Sequence, residues 1–320
     1  MKKMLSLILV LMLVMSLAAC GGDGPAKLTM GTGSTSGTYY AFGGVLSQFI
    51  QEHAGIAVTP VSTDGSKANI EFIATGDYQL GTVQSDVMTY AWQGTRSFEA
   101  VGKIDSFRVV AGLYAEAVQL VTTDPSIQSV ADLKGKNVSI GAPGSGVYFN
   151  AVDILAAAGL TEDDINAQYQ SFGDSADALK DGKIDAAFIV AGAPTAAITE
   201  LCVSVPDASL VPIDGDIAAK LMEVSPFYTS YVIPAGTYSG QEADVTTVTV
   251  KATLIVSADL SEETVYNLTK AIFDNVDAIA AANAKGAELS LENATAGMSV
   301  PFHPGAARYF EEAGITVDSQ

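Results

Sequence analysis

The chain has 320 residues, of which 48% are hydrophobic and 16% charged, and its formal net charge at pH 7 is −20. This composition excludes a disordered chain and suits two folded lobes better than a single core. The strong negative charge argues against nucleic acid or an anionic lipid surface as a partner.

The N-terminus has the pattern of an export signal. Lys2 and Lys3 precede the apolar run Met4–Met15, which is too short for an ordinary membrane span. The following Leu-Ala-Ala-Cys sequence, with two glycines after it, resembles the lipobox of bacterial lipoproteins; a plain secretory signal is the alternative. We therefore expect an exported protein anchored by lipid to the outer face of the bacterial membrane, or to a periplasmic face. The assignments are a signal peptide at 1–19, lipidation at Cys20 and a tether at 20–26.

Strands and helices alternate through the first half of the chain. Lys27–Met30 predicts a strand, and the Gly/Ser turn after it leads into a helix with apolar side chains recurring from Phe42 to Ile50. The next predicted elements are strands at Ile56–Ser62 and Gln79–Val83 and helices at Lys67–Ala74 and Val87–Gln93.

The second half repeats this order. Aligning the glycines places Ser36–Tyr40 over Ser145–Phe149, and each copy joins a strand to a helix N-terminus. Two such units predict an α/β fold with two lobes facing each other across a ligand cleft. The predicted elements are strands at Asn137–Ile140, Tyr169–Phe172 and Ala186–Val190 and helices at Tyr148–Ala158 and Ser175–Lys180, the last capped by Asp174.

Two β-rich stretches are candidates for crossing between the lobes. The first contains the strand-like segments Arg108–Leu113 and Val118–Thr122, and the second is Val245–Val256. After the second stretch, Ser261 and the acids behind it predict the start of a helix that returns to the first lobe. We assign residues 27–113 and 253–320 to lobe 1 and residues 114–252 to lobe 2.

The turns that precede helices predict the chemistry of the cleft. Helix N-termini offer unpaired N–H groups and partial positive charge, which suit an anion. Arginine is the alternative anion clamp, but none of the three arginines lies in these turns. We expect a small anionic or zwitterionic solute, such as a glutamate-like amino acid or a dicarboxylate, held by backbone N–H groups and hydroxyls.

Several candidate side chains also have a structural interpretation. The hydroxyls in the turns can simply cap their helices, and Tyr39 and Tyr148 can flank the cleft or pack into the core. Asp86 can receive a ligand ammonium or act as a first-turn helix charge. The candidate ligand-binding residues are Ser34, Thr35, Ser36, Gly37, Tyr39, Ser66, Asn69, Gln84, Ser85, Asp86, Ser145, Gly146, Val147, Tyr148 and Gly192.

Catalytic and cofactor sites are not expected. The first turn has serine at position 36, where a dinucleotide-binding fingerprint needs its third glycine, and no Gly-Lys-Ser/Thr phosphate loop occurs. The histidines are His53, at a helix end, and His303, before a Pro-Gly turn. We therefore predict no enzyme, no cofactor and no metal site.

Eight motifs occur in order over roughly residues 28–310: Gly31–Tyr40, Thr63–Asn69, Val83–Asp86, Asp132–Lys136, Gly141–Gly146, Ile184–Phe188, Ala191–Pro194 and His303–Ala306. Taken together, they resemble the TAXI family of TRAP-transporter solute receptors.

The resemblance implies a type II periplasmic-binding-protein fold and delivery of the solute to a sodium-coupled TRAP permease subunit by a monomeric receptor. Val147 and Tyr148 depart from the family pattern, which often has threonine and then an acidic residue there. A ligand-binding sensor module that signals to a membrane-bound partner is the alternative function.

The lipid anchor is directly testable. We expect globomycin to block processing of the precursor, because that inhibitor acts on the lipoprotein signal peptidase. A Cys20→Ser chain is expected to leave the membrane fraction, as read by fractionation and immunoblotting. Processing that is indifferent to globomycin would contradict the anchor.

Overall fold

The computed structural model describes residues 27–319, so the predicted signal peptide, Cys20 and the tether lie outside the described residues. Within that range, no helix combines the length and the hydropathy needed to cross a membrane.

Strands and helices alternate as expected over most of the described chain. The strands are β1 (Lys27–Gly31), β2 (Ala57–Val61), β3 (Leu80–Gln84), β4 (Phe107–Thr122), β5 (Asn137–Ser139), β6 (Asn166–Gln168), β7 (Ala186–Ala191), β8 (Ser209–Val211), β9 (Thr229–Ile233) and β10 (Val245–Ser257). The α-helices are α1 (Thr38–Ala54), α2 (Ser66–Ala74), α3 (Ser85–Gln93), α4 (Gly146–Ala157), α5 (Phe172–Lys180), α6 (Ala196–Ser204), α7 (Gly215–Val224), α8 (Glu262–Phe273), α9 (Val276–Ala282), α10 (Leu291–Thr295) and α11 (Pro304–Glu312).

The strands of the described range form a sheet in the order β2-β1-β3-β10-β4-β7-β5-β6, with β8 on β4 and β9 on β10. Strands β1, β2 and β3 are parallel, as are β5, β6 and β7. In β4, Val118 and Leu120 enter one hydrophobic cluster while Ala117 and Val121 enter another. This alternation is the period of two that a strand imposes, and it covers both faces of the second lobe.

Strands β4 and β10 run from one lobe into the other. Residues Ala252–Val256 of β10 pair with β3, whereas Val245–Thr249 pair with β9. The predicted segments Arg108–Leu113 and Val118–Thr122 are one continuous strand, because residues 115–117 between them also pair with β10. The β4–β10 register shifts between Lys251 and Thr253 and again between Leu254 and Ile255.

One local prediction is wrong. Tyr169–Phe172 is not a strand, because the strand ends at Gln168 and helix α5 begins at Phe172. Ser171 caps that helix: its Oγ accepts from the Asp174 N–H at 3.3 Å and donates to Asp174 Oδ2 at 2.6 Å. Asp174 is therefore the acidic partner three residues inside a Ser-x-x-Asp cap and not the cap itself.

Candidate functional site

A cleft lies at the carboxyl ends of the parallel strands, between residues of both predicted lobes. About 530 Å³ of the space between its walls is free of protein atoms, a volume that includes open solvent. Its lining consists of Gly33, Ser34, Gly37, Thr38, Tyr39, Thr63, Asp64, Gly65, Ser66, Gln84, Glu116, Ala142, Ser145, Gly146, Val147, Gln170, Ser171, Phe172, Val190 and Ala191.

The two sides of the cleft are in direct contact. The Ala68 N–H donates to the Gly144 carbonyl at 3.1 Å, and Thr38 Oγ1 donates to the Gly192 carbonyl at 2.9 Å. A Cβ atom at Gly146 would lie 1.9 Å from Oε1 of Gln84. The lobes are therefore closed on each other, and glycine at position 146 is what permits this approach.

Helix ends differ between the two sides of the cleft. Helices α1 and α2 have Gly37 and Gly65 at their N-caps, and neither supplies a side-chain hydrogen bond. On the opposite side, Ser145 and Ser171 cap α4 and α5 through their hydroxyls. Apart from the Ala68 N–H, which donates to the Gly144 carbonyl, the first-turn N–H groups of α1 and α2 stay available to an acceptor, which is the usual chemistry of an anion seat. Gly65 also has φ of 114°, a conformation that favours glycine.

No cationic side chain appears among the residues that line the cleft; the charged members are Asp64 and Glu116. The arginines of the described range bind elsewhere: Arg96 to Asp153, Arg108 to backbone carbonyls, and Arg308 to glutamates. An anion in this cleft would therefore rely on backbone and hydroxyl donors.

Hydrogen bonds tie Glu116 and the backbone of Gln84 to neighbouring hydroxyls of the cleft lining. The Tyr39 hydroxyl donates to Glu116 Oε2 at 2.6 Å, and the Gln84 N–H donates to Ser66 Oγ at 3.0 Å. Burial is the main reason that the pKa values of Tyr39 and Glu116 both lie above their usual ranges. Ser66 interacts with the Tyr39 hydroxyl, so one network extends from Glu116 to Gln84.

About half of the candidate residues line this cleft. They are Ser34, Gly37, Tyr39, Ser66, Gln84, Ser145, Gly146 and Val147. The others lie outside its lining: Thr35, Ser36, Asn69, Ser85, Asp86, Tyr148 and Gly192.

Asn69 and Tyr148, which lie outside the lining, have structural partners. Asn69 is fully buried and donates to the carbonyls of Thr32 and Thr82 at 2.7 and 2.8 Å. The Tyr148 hydroxyl donates to Glu162 at 2.9 Å, away from the lining. Direct ligand contact by these residues stays a prediction, while their observed contacts position the turns that line the cleft.

Asp86 lies in a polar cluster between the predicted lobes. Its Oδ2 accepts from Asn150 Nδ2 at 3.0 Å, and the same Nδ2 donates to the Tyr228 hydroxyl at 2.9 Å. The Tyr228 hydroxyl in turn donates to Asp153, and Asp153 forms an ion pair with Arg96 at 2.5 Å. Burial raises the pKa of Asp86 to about 7, and the charge of Asp153 adds to this effect.

Glu116 and Gln170 line the cleft but were not among the candidate residues. Glu116 stands in the middle of β4, where all the other side chains between Val109 and Val121 are uncharged. A lone acid inside a long apolar strand is an unusual feature, since an unpaired buried charge is unfavourable. That signal was available in the sequence, whereas Gln170 lies in a segment predicted as a strand.

Comparison with known proteins identifies a family and a fold. A family model described as the NMT1-like family matches residues 30–314. A solved structure from Bordetella bronchiseptica is similar with a TM-score of 0.55 and 18% identity, covering 90% of this chain and 89% of that chain.

Two further solved structures are similar. One is a binding protein component of an ABC phosphonate transporter from Pseudomonas aeruginosa, with a TM-score of 0.53, 12% identity and coverage of 82% of this chain and 79% of that one. The other is an ancestral arginine-binding protein bound to arginine, with a TM-score of 0.51, 14% identity and coverage of 83% and 99%. The predicted α/β, two-lobed periplasmic-binding-protein fold is thereby confirmed.

Gly146→Ala is expected to prevent full closure of the lobes. The new methyl group would meet Gln84 Oε1 and Ser66 Oγ, and overpacking of this kind costs about 1–3 kcal/mol. We expect solute affinity to fall by about 10- to 100-fold, measured by titration calorimetry, together with a larger radius of gyration of the solute-saturated chain in small-angle X-ray scattering.

Two further variants control this prediction. Gly44→Ala in α1 meets no atom within 4 Å, so it should leave closure unchanged and stabilise the helix by roughly 0.5–1 kcal/mol. Adding Gln84→Ala to Gly146→Ala removes the obstructing amide and should restore the compact form. A Gly146→Ala chain that closes normally by itself would show that the contact is not a constraint.

Asp86→Asn is expected to stabilise the fold at high pH. The pKa of Asp86 rises from 3.8 to about 7 on folding, so between those values the folded chain binds more protons than the unfolded chain. The free energy of unfolding therefore decreases as pH rises through this window. The Asp86→Asn variant lacks this pH dependence. Its free energy of unfolding should exceed that of the wild type by at most about 4 kcal/mol above pH 7, and the difference should vanish near pH 4.

Urea unfolding as a function of pH measures this difference. Asp259→Asn, an exposed substitution, is the matched control and should change stability by less than about 0.5 kcal/mol at every pH. A pH-independent effect of Asp86→Asn would mean that the carboxyl group does not titrate in this window.

Proposed function

This chain belongs to the NMT1-like family, and on that basis we propose that it is an extracytoplasmic receptor that captures a small carboxylate-bearing solute and delivers it to a membrane permease. The observation that carries the proposal is the closed cleft, into which the glycine-capped ends of α1 and α2 open. Such a receptor needs a site that encloses its ligand between two lobes, and the fold supplies it.

Donor chemistry supports a carboxylate as the bound group. The N-cap residues Gly37 and Gly65 leave first-turn N–H groups without side-chain acceptors, and the Ser34 hydroxyl lies in the same lining. Charge-assisted hydrogen bonds from such donors stabilise a carboxylate by about 1.5–3 kcal/mol each. Because the lining contains no Lys or Arg, these groups would be the main source of affinity for an anion.

The side chains of the described residues support a binding function over a catalytic one. Within residues 27–319 no cluster of three or more His, Cys, Asp or Glu side chains is arranged to hold a metal ion. His303 is 2% exposed and caps α11 by accepting from the Gly305 N–H at 3.2 Å. We therefore propose a receptor without enzymatic activity.

The finer part of the proposal is the class of permease. The eight motifs in residues 28–310 favour a TRAP-type, sodium-coupled permease, whereas one similar structure is a component of an ABC phosphonate transporter. We propose the TRAP type because the motifs are a property of this chain, and identities of 12–18% to the solved structures carry the fold alone.

The proposal predicts that the chain retains a small carboxylate when it is purified without added ligand. Native mass spectrometry under gentle conditions should show the bound mass. Re-addition of that compound at about 100 times its Kd should raise the unfolding midpoint by roughly 5–10 °C. The corresponding amide, which lacks the carboxylate, is the control and should have little effect.

Absence of affinity for any carboxylate or amino acid in titration calorimetry would contradict the proposed function. Uptake by cells distinguishes the permease classes: a TRAP permease should lose transport when the sodium gradient is collapsed. Transport that depends on ATP and survives loss of the gradient would instead indicate an ABC permease.

A further inference from the structure

Glu116 is a buried carboxylate on the floor of the cleft. It is 1% exposed, yet it is part of the lining. Its side-chain hydrogen bond within the described residues is the one from Tyr39, which uses Oε2 at 2.6 Å. The other carboxylate oxygen therefore keeps its hydrogen-bonding capacity for a group that enters the cleft.

The charges around Glu116 do not neutralise it. Lys285 is the cation that acts on it, but the Lys285 ammonium pairs with Glu288 Oε1 at 2.7 Å. The stem of Lys285 packs against Gly192, where a Cβ atom would lie 2.7 Å from Cε. The Lys285 ammonium is thus paired with Glu288. The negative charge of Asp86 raises the pKa of Glu116 further.

Two amide side chains present further acceptors in the same lining. Gln84 is 2% exposed, and its buried Oε1 has no hydrogen-bond partner in the structure. The buried Oε1 of Gln170 has none either. Buried polar atoms are normally paired, so unpaired ones that line a cavity are most simply completed by a ligand.

The cleft therefore has two chemically distinct parts. The ends of α1 and α2 offer N–H donors, whereas Glu116, Gln84 and Gln170 offer acceptors. A dicarboxylate would match the first part but bring a second carboxylate, itself only an acceptor, to groups that offer acceptors. A zwitterion matches both parts, because its ammonium group donates up to three hydrogen bonds.

We propose that the solute is an α-amino acid or a similar zwitterion whose ammonium group binds Glu116, with Gln84 as a second acceptor. This inference rests on the proposed function and narrows its solute class. Glu116 is then the residue that selects an amine-bearing solute over a dicarboxylate of the same length.

The inference also predicts proton exchange. Burial raises the pKa of Glu116. An ammonium partner would lower this pKa and return the carboxyl group to its ionised form. The titratable and charged groups that face it are Tyr39 on α1, Tyr114 on β4, Asp86 on α3, and Lys285 and Glu288 after α9. Binding should therefore release a proton whose uptake by buffer is measurable.

The experiment compares matched probes on the complete mature chain. Titration calorimetry is done with L-α-amino acids and with their deaminated counterparts, for example L-glutamate against 2-oxoglutarate and glutarate. We expect at least one amino acid to bind at least 100-fold more tightly than its counterparts. Repeating the titration in buffers of different ionisation enthalpy should show proton release.

Variants assign the effect to Glu116. Glu116→Gln keeps the shape and should reduce the preference for the amine to less than 10-fold and abolish proton release. Tyr39→Phe removes the hydroxyl but keeps the carboxylate, so it should retain most of the preference. If Glu116→Gln does not fold, the wild-type comparison of matched probes still decides the question.

Each outcome has a distinct meaning. If 2-oxoglutarate or glutarate binds as tightly as L-glutamate, or if binding takes up a proton, the receptor function stands and the amine inference is overturned. If neither half of the panel binds, the proposed function itself fails.

Discussion

Strands β4 and β10 run side by side through the junction of the lobes, and the geometry of the cleft depends on how they hold the two sets of parallel strands. Strand β10 pairs with β3 at one end and with β9 at the other, while β4 bridges Phe302 at Val109 and pairs with β7 at its opposite end. Because Glu116 lies opposite Val250 in this pair, the acid that faces the cleft is fixed to the backbone that the lobes share. Its position therefore changes little when either lobe moves.

The cleft separates its donors from its acceptors by element. Helices α1 and α2 contribute N–H groups through glycine N-caps, and α4 and α5 keep their first-turn N–H groups partly occupied by Ser145 and Ser171. The donor part is thus built mainly on the first lobe. The second lobe contributes the close approach of Gly146 to Gln84.

The sequence predicted the architecture because hydrophobic periodicity and Gly/Ser turns are local signals. It failed at Phe172, where the capping function of Ser171 depends on a hydrogen bond that an alternating pattern does not reveal. The turns that line the cleft were predictable, since they follow parallel strands. The position of Asp86 was not: only the packing of α4 shows that Asn150 covers it. Glu116 was missed because it lies between the predicted strand segments Arg108–Leu113 and Val118–Thr122 and outside the Gly/Ser turns.

The net charge of −20 should affect the rate at which different solutes reach the cleft. A dianion approaching this surface would be repelled at long range, and its association would speed up as salt screens the field. A zwitterion has no net charge to repel, so its encounter with the receptor would depend little on ionic strength. The acidic surface would then discriminate between solutes before either of them reaches the cleft, through the rate of arrival and independently of the strength of the final contacts.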